Sequence, residues 1–307
     1  MNGRDFQPNP SAYWPEGTFL QQATFAGLEA PYSSFDEARV VILPVPYDGT
    51  SEWRSGSRHG PQAIIDASQY LELYDSDLDL EIYKIGISTL PRVEPVLSSP
   101  QDMIERVYQV VTGLIQKRKL PVLLGGDHTL SLGAVRAFSE AFPKLSVLQL
   151  DAHADLRDEY LGTRYGQACV MRRISELCPI SQVGLRSLSL EERQFLTQSK
   201  LAPFYMSDLS SRATADKILD SLGEDVYITI DVDVLDPSIM PAVGTPEPDG
   251  MSWRQLLDVL ESVALHKHLV GFDLMEFCPN EGPNSCAFLL AKLAYKLIGS
   301  AVAQNKH

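Results

Sequence analysis

The sequence predicts a three-layer α/β/α fold around a mostly parallel sheet. Short apolar runs alternate with longer stretches whose apolar residues recur at helical spacing, and that alternation gives βαβ units and a sheet covered on both faces. No stretch rich in Gly, Ser or Pro divides the middle of the chain, and no segment repeats, so residues 37–307 read as a single domain. Residues 1–36 are rich in Pro, Gly and aromatics without a clean period, and read as an arm on the surface or against a neighbouring subunit.

Taken in order, Arg39–Leu43 is a short buried strand, followed by a glycine-punctuated loop. Pro61 suits the first position of a helix running to about Tyr70. Residues 72–100 are irregular, with a strand expected near Tyr83–Ile87. From Asp102 to Lys119, Ile104, Val107, Val111, Leu114 and Ile115 mark a helix, and Lys117, Arg118 and Lys119 suit its C-terminal end. Strands follow at Pro121–Leu124, Leu145–Leu150, Ile180–Leu185, Val226–Ile230 and Leu269–Phe272. The helices between them are expected at Leu130–Phe142, Gln167–Leu177, after Ser189, and at Ala213–Leu222. Ser252 with Gln255 three positions on forms a capping box for the next helix. A last helix spans about Asn284–Ser300, and its apolar run Cys286–Ala303, broken by Lys292 and Lys296, reads as packed against the core rather than spanning a bilayer.

At 307 residues and 44% apolar content the chain can bury a large core. A net charge of −14 argues against nucleic acid or an anionic membrane as a partner, and suits small cations. The four cysteines, Cys169, Cys178, Cys278 and Cys286, form no C-x-x-C pair, and the opening stretch lacks the apolar core of a signal peptide. A reducing, cytoplasmic setting is the expectation.

Four strands end in acidic or imidazole groups: VLLGGDH (Asp127, His128), LQLDAHAD (Asp151, His153, Asp155), ITIDVDVLD (Asp231, Asp233, Asp236) and GFDLMEF (Asp273, Glu276). Ligands of such sheets bind beyond the carboxyl ends of the strands. So much negative charge at one sheet edge requires a cation. If strand geometry persists past Leu150, Asp151, His153 and Asp155 share one face, as do Asp231 and Asp233. With His128 they make six candidate ligands, enough for two divalent ions about 3.5–4 Å apart. An oxygen-rich set without thiolates favours manganese over structural zinc. Asp127 is expected to orient His128, Asp236 to serve a turn, and Asp273 to be structural.

The motifs GGDHTLS (125–131), DAHADLRDEY (151–160) and DVDVLDPSIMPAVGTPEPDG (231–250), in that order, resemble the ureohydrolase family of arginases and agmatinases, and YDGTSEWRSGSRHGPQAI (47–64) resembles the family's first βα loop. GTPEPDG and CVMRRI look most like agmatinase-type members. The resemblance implies an arginase-like fold and a pair of Mn²⁺ ions per subunit held by His128, Asp151, His153, Asp155, Asp231 and Asp233, with Ni²⁺ or another divalent ion as the alternative. It further implies attack of a metal-bridging hydroxide on a guanidinium carbon, and a homo-oligomer, trimer or hexamer. Glu276 matches the acid that pairs with the guanidinium, a role suited to a bidentate carboxylate. Asp155 is suited to take the proton of the attacking hydroxide.

One position departs from the pattern. Related chains usually have a histidine before ACVMRR that passes a proton to the leaving amine, and here Gln167 stands in its place. An amide cannot do this at neutral pH, and general acid help is typically worth about 10²–10⁴-fold. His59, on a loop at the same sheet edge, is the candidate replacement; His266 and His268 precede a strand, and His307 is terminal.

Asp158 is a candidate partner for the distal ammonium of agmatine, and Tyr165 and Trp53 are candidate pocket walls. The reaction expected is agmatine to putrescine and urea, because the polar run that reads an amino-acid head in arginases is missing. The alternatives are another guanidino substrate such as guanidinobutyrate, met by Arg54, Arg58, Arg157 or Arg164, or a metal-binding homologue of low activity.

Overall fold

Strand residues in this protein alternate between two apolar cores. Ile42, Leu124, Leu148 and Ile230 face one core, while Val41, Leu43, Leu123, Val147 and Tyr227 face the other, as the two-residue period of a strand dictates. The computed structural model describes residues 23–209 and 212–303.

The strands are β1 (Val40–Val45), β2 (Tyr74–Asp75), β3 (Leu80–Glu81), β4 (Ile87–Thr89), β5 (Leu120–Gly125), β6 (Leu145–Leu150), β7 (Ile180–Leu185), β8 (Phe204–Tyr205), β9 (Asp225–Asp231) and β10 (His268–Met275). The helices are α1 (Gly60–Ser68), α2 (Pro100–Gln116), α3 (Leu130–Ala141), α4 (Val170–Ile174), α5 (Leu190–Ser199), α6 (Arg212–Asp220), α7 (Trp253–His266) and α8 (Ser285–Ala303). Eight strands form one sheet in the order β4-β1-β5-β10-β9-β6-β7-β8, with every pair parallel; β2 and β3 form a separate antiparallel ribbon. Residues of α1, α6, α7 and α8 belong to the first core, and those of α2, α3, α4 and α5 to the second. The three-layer arrangement is therefore as expected.

The C-terminal strand β10 sits between β5 and β9, so four strand ends become neighbours: β5, β10, β9 and β6. Their registers keep those ends level. Leu124 pairs with Leu274, Met275 with Asp231, and Ile230 with Leu150. The residues immediately beyond each strand therefore meet at one edge.

The capping box of α7 is present: Ser252 Oγ accepts from Gln255 N at 3.3 Å, and Gln255 Oε1 accepts from Ser252 N at 2.9 Å. Such a cap stabilises a helix by about 1 kcal/mol. α2 begins two residues earlier than expected, because Ser99 caps it by accepting from Asp102 N and Pro100 opens it. The expected strand near Tyr83 is instead a 3₁₀ turn, Ile82–Ile85, and pairing starts at Ile87. The expected helix over Gln167–Leu177 is a 3₁₀ turn, Gln167–Cys169, followed by the short α4. Strand β8 is too short to show a period and was not expected.

The expected N-terminal arm does not lie wholly on the surface. Phe25 is fully buried, and Ala26 N donates to Ser68 Oγ at 2.8 Å, so burial of an aromatic ring fastens this stretch to α1. Residues 1–22 of the arm, and His307, lie outside the described residues. Helix α8 is long and apolar enough to cross a membrane by length and composition, contrary to the expectation that two lysines rule this out. Most of its residues are buried, so it acts as a core helix.

Candidate metal centre

Two clusters of ligand-type side chains meet at the shared edge of β5, β10, β9 and β6: His128 with Asp151 and Asp231, and Asp151 with His153 and Asp233. Asp151 belongs to both. In the first, His128 Nδ1 lies 3.3 Å from Asp151 Oδ2, 3.2 Å from Asp155 Oδ2 and 3.4 Å from Asp231 Oδ2. In the second, His153 Nδ1 lies 2.9 Å from Asp233 Oδ2 and 3.8 Å from Asp151 Oδ1.

The six expected ligands therefore converge, but not by strand alternation. β6 ends at Leu150, and Asp155 has φ 53°, so a left-handed turn rather than an extended chain brings its carboxylate back to His128. β9 ends at Asp231, and Val232–Val234 is a 3₁₀ turn in which Asp231 Oδ1 accepts from Asp233 N. That turn sends Asp231 to the His128 cluster and Asp233 to the His153 cluster. Backbone amides hold the other carboxylates: His153 N donates to Asp151 Oδ1 at 2.6 Å, and Ala152 N to Asp233 Oδ1 at 3.1 Å.

The ring of His128 shows why a cation fits here. Its Nε2 is 2.8 Å from Thr229 Oγ1, whose hydroxyl donates to Asp273 Oδ1 at 2.7 Å. With that hydroxyl hydrogen committed, Thr229 accepts from Nε2–H, which leaves Nδ1 facing three carboxylates. Against the effect of burial, Asp151, Asp155 and Asp231 hold the imidazole well above its usual range, so Nδ1 carries a proton in the metal-free fold and offers a lone pair to a cation that displaces it. Nδ1 is buried and has no hydrogen-bond partner. A lone pair and three anions facing one another suit a divalent ion at that spot.

Titration of the metal-free cluster tells the same story. Burial, then Asp233 and Asp155, pushes Asp151 up to about 7; burial pushes Asp155 up to about 6 and Asp231 well above the carboxylate range. His153 is pushed up to about 11: burial opposes the shift, and Asp233, Asp151 and Asp155 together outweigh it. Protons stand where cations would.

Asp127 does not orient His128. Its Oδ2 accepts from Thr50 N at 2.7 Å and Thr50 Oγ1 at 2.6 Å, and its Oδ1 from Thr129 N. Thr229 and Asp273 orient the ring, a pair the sequence reading did not identify; Thr at an inward strand position two before an aspartate ligand was the available signal. Asp236 serves a turn, as expected, accepting from Ser238 N and Gly250 N. Arg186, also not anticipated, donates to the carbonyls of Asp233, Glu247 and Pro248 at 2.7–2.9 Å and ties the loop after β9 to the end of β7.

A cavity of about 280 Å³ opens from the cluster, with His128, His153, Asp155, Asp231 and Glu276 at its inner end. Glu276, at φ 64°, accepts from His128 N at 2.7 Å, and burial with Asp127 and Asp231 pushes it well above the usual range. Gln167, Trp53, Arg54, Arg157 and Tyr160 also line the cavity. Asp158 does not: it bonds Arg164 at 2.9 Å and Arg173 at 2.5 Å, so its charge is already met. Tyr165 is also outside the lining, its carbonyl accepting from Thr129 Oγ1, and the neighbouring Tyr160 lines the wall instead. Exposed His59 is not part of the lining; Arg58 pairs with Asp48.

The arginase family matches residues 38–299. The chain is 35% identical over 277 residues to N(1)-aminopropylagmatine ureohydrolase of Synechocystis, spanning 87% of this chain and 90% of that protein. It is 37% identical over 276 residues to agmatinase of Pyrococcus horikoshii, spanning 89% and 95%. The crystal structure of agmatine ureohydrolase of Thermoplasma volcanium superposes with a TM-score of 0.85 at 32% identity, covering 94% of this chain and 97% of that one. A cluster shaped for cations, on this sheet and with these relatives, places the chain in the arginase family, among the hydrolases of guanidino C–N bonds.

Proposed function

We propose that the protein hydrolyses a guanidino amine to urea and an amine with two bound manganese ions, and that agmatine, giving putrescine and urea, is a substrate. The arrangement that supports this reading most is a pair of ligand sets sharing Asp151, with the Glu276 carboxylate facing the same cavity. His128, Asp151, Asp155 and Asp231 would hold one ion, and Asp151, His153 and Asp233 the other; the oxygen-rich set favours manganese. Bound there, the ions would lower the pKa of a water and orient it.

The side chains supply the rest. Glu276 uses one oxygen on His128 N, and its other is available to a guanidinium N–H. In a buried setting that favours the neutral acid, an arriving guanidinium restores the carboxylate and gains a charge-assisted bond. Asp155 takes a proton from the attacking water and delivers it to the departing nitrogen as the C–N bond breaks. Gln167 can donate a hydrogen bond to that nitrogen but cannot protonate it. Longer guanidino polyamines are a second reading, supported by the relatives named for N(1)-aminopropylagmatine. The free thiols of the four cysteines are compatible with a reducing, cytoplasmic setting. Urea release from agmatine, N(1)-aminopropylagmatine and guanidinobutyrate by manganese-loaded protein tests the proposal. Release from the amines supports it, and none from any substrate with both ions bound overturns it.

A further inference from the structure

Five carboxylates line the cavity, and four of them are committed. Asp155, Asp231 and Glu276 serve its inner end. Glu192 caps helix α5 and ties it to the loop after β6, accepting from Ser189 N at 2.6 Å and Leu156 N at 2.9 Å. Glu52 is the remaining one. It is exposed, has no ion-pair partner among the described residues, and accepts a single hydrogen bond, from the Tyr160 hydroxyl at 3.2 Å. Its other oxygen is uncommitted.

Tyr160 is held in place by a tight hairpin. Tyr160 and Thr163 exchange backbone hydrogen bonds at 2.8 and 3.0 Å, and Leu161 and Gly162 both have positive φ, 48° and 80°. A leucine in that region, 74% exposed as a residue, is a local strain that the surroundings impose, and such strain gathers at ligand-contacting sites. The cations nearby are engaged differently. Arg54 pairs with Glu281 at 3.2 Å and stacks on Trp53, while Arg157 lies over the Tyr160 ring at 4.6 Å.

We infer that Glu52, backed by the Tyr160 hydroxyl, receives an ammonium group on the alkyl tail of the guanidino substrate, and so selects guanidino amines over guanidino acids. This rests on the hydrolase reading above. Glu276 and Glu52 border one cavity, so a cation at each end of the ligand meets a carboxylate. A carboxylate tail would be repelled by Glu52 and would have to be read by Arg157 instead.

The test compares kcat/KM for urea release from agmatine, butylguanidine (the same chain without the ammonium) and 4-guanidinobutyrate, using manganese-loaded wild type and Glu52→Gln. The wild type is expected to prefer agmatine over butylguanidine about fivefold to tenfold, the range of a charge-assisted contact at a partly open site. Glu52→Gln should bring that ratio to near one, through KM rather than kcat, and Tyr160→Phe should lower it in part. A preference that survives Glu52→Gln overturns the inference, as does a wild type that favours the acid. A wild type that releases urea without any tail preference refutes this subsite alone. Release from none of the three overturns the hydrolase reading and this inference with it.

Discussion

Replacing Thr229 with valine removes a hydroxyl bonded on both sides while keeping the shape of the side chain. It strips the acceptor from His128 Nε2 at 2.8 Å and a donor from Asp273 at 2.7 Å, both fully buried. Asp273 keeps the Tyr227 hydroxyl at 2.8 Å, so the larger loss falls on the imidazole, which no longer has a fixed tautomer. Loss of such an outer partner typically weakens metal binding about 10–100-fold. An unsatisfied buried donor also costs about 1–3 kcal/mol of fold stability. Manganese titration against a competing chelator separates the two effects, because the metal-free unfolding temperature reports only the second. Thr229→Ser, which restores the hydroxyl, should recover most of the affinity. Wild-type manganese affinity in Thr229→Val, or failure of serine to recover a loss, would refute the assignment of Thr229 and Asp273 as the groups that aim His128.

Two more outcomes are expected. Gln167→His should raise kcat for agmatine by about 10-fold or more, within the range general acid help supplies; an unchanged or lower kcat in steady-state assays would mean that Gln167 reads the substrate instead. The stabilisation conferred by manganese should grow with pH. Asp151 and Asp155 titrate near 7 and 6 in the metal-free fold, above the ordinary value of 3.8. Carboxylates with raised pKa stabilise the metal-free fold below about pH 4 and lose that contribution as pH rises to about 7, whereas bound cations displace the protons. The melting-temperature gain from manganese should therefore be larger at pH 7.5 than at pH 5.5, and a constant or shrinking gain would contradict the proton-for-cation exchange.

The six ligand candidates were legible because each stands just beyond an apolar run, and strand ends in a parallel sheet collect at one edge. Their grouping was not legible, because it depends on a left-handed turn at Asp155 and a 3₁₀ turn at Val232–Val234, neither marked by glycine or proline. The placement of β10 between β5 and β9 is a long-range pairing with no local signature, and it is what brings Glu276 beside His128. The cavity wall was the least readable part. Asp158 and Tyr160 are two residues apart, and only the Leu161-Gly162 hairpin and the arginines around Asp158 decide which of them faces the cavity. Phe25 was hidden in a stretch without period, where one buried ring suffices to anchor the chain.

The most direct measurement is metal content set beside urea release in one preparation, for wild type and for His153→Ala. Two manganese ions per chain and urea from agmatine are expected in the wild type, with one ion lost and urea release reduced at least 100-fold in His153→Ala, a drop of about 2.7 kcal/mol or more in transition-state stabilisation. Full activity with a single ion, or two ions and undiminished urea release after His153 is removed, would contradict it.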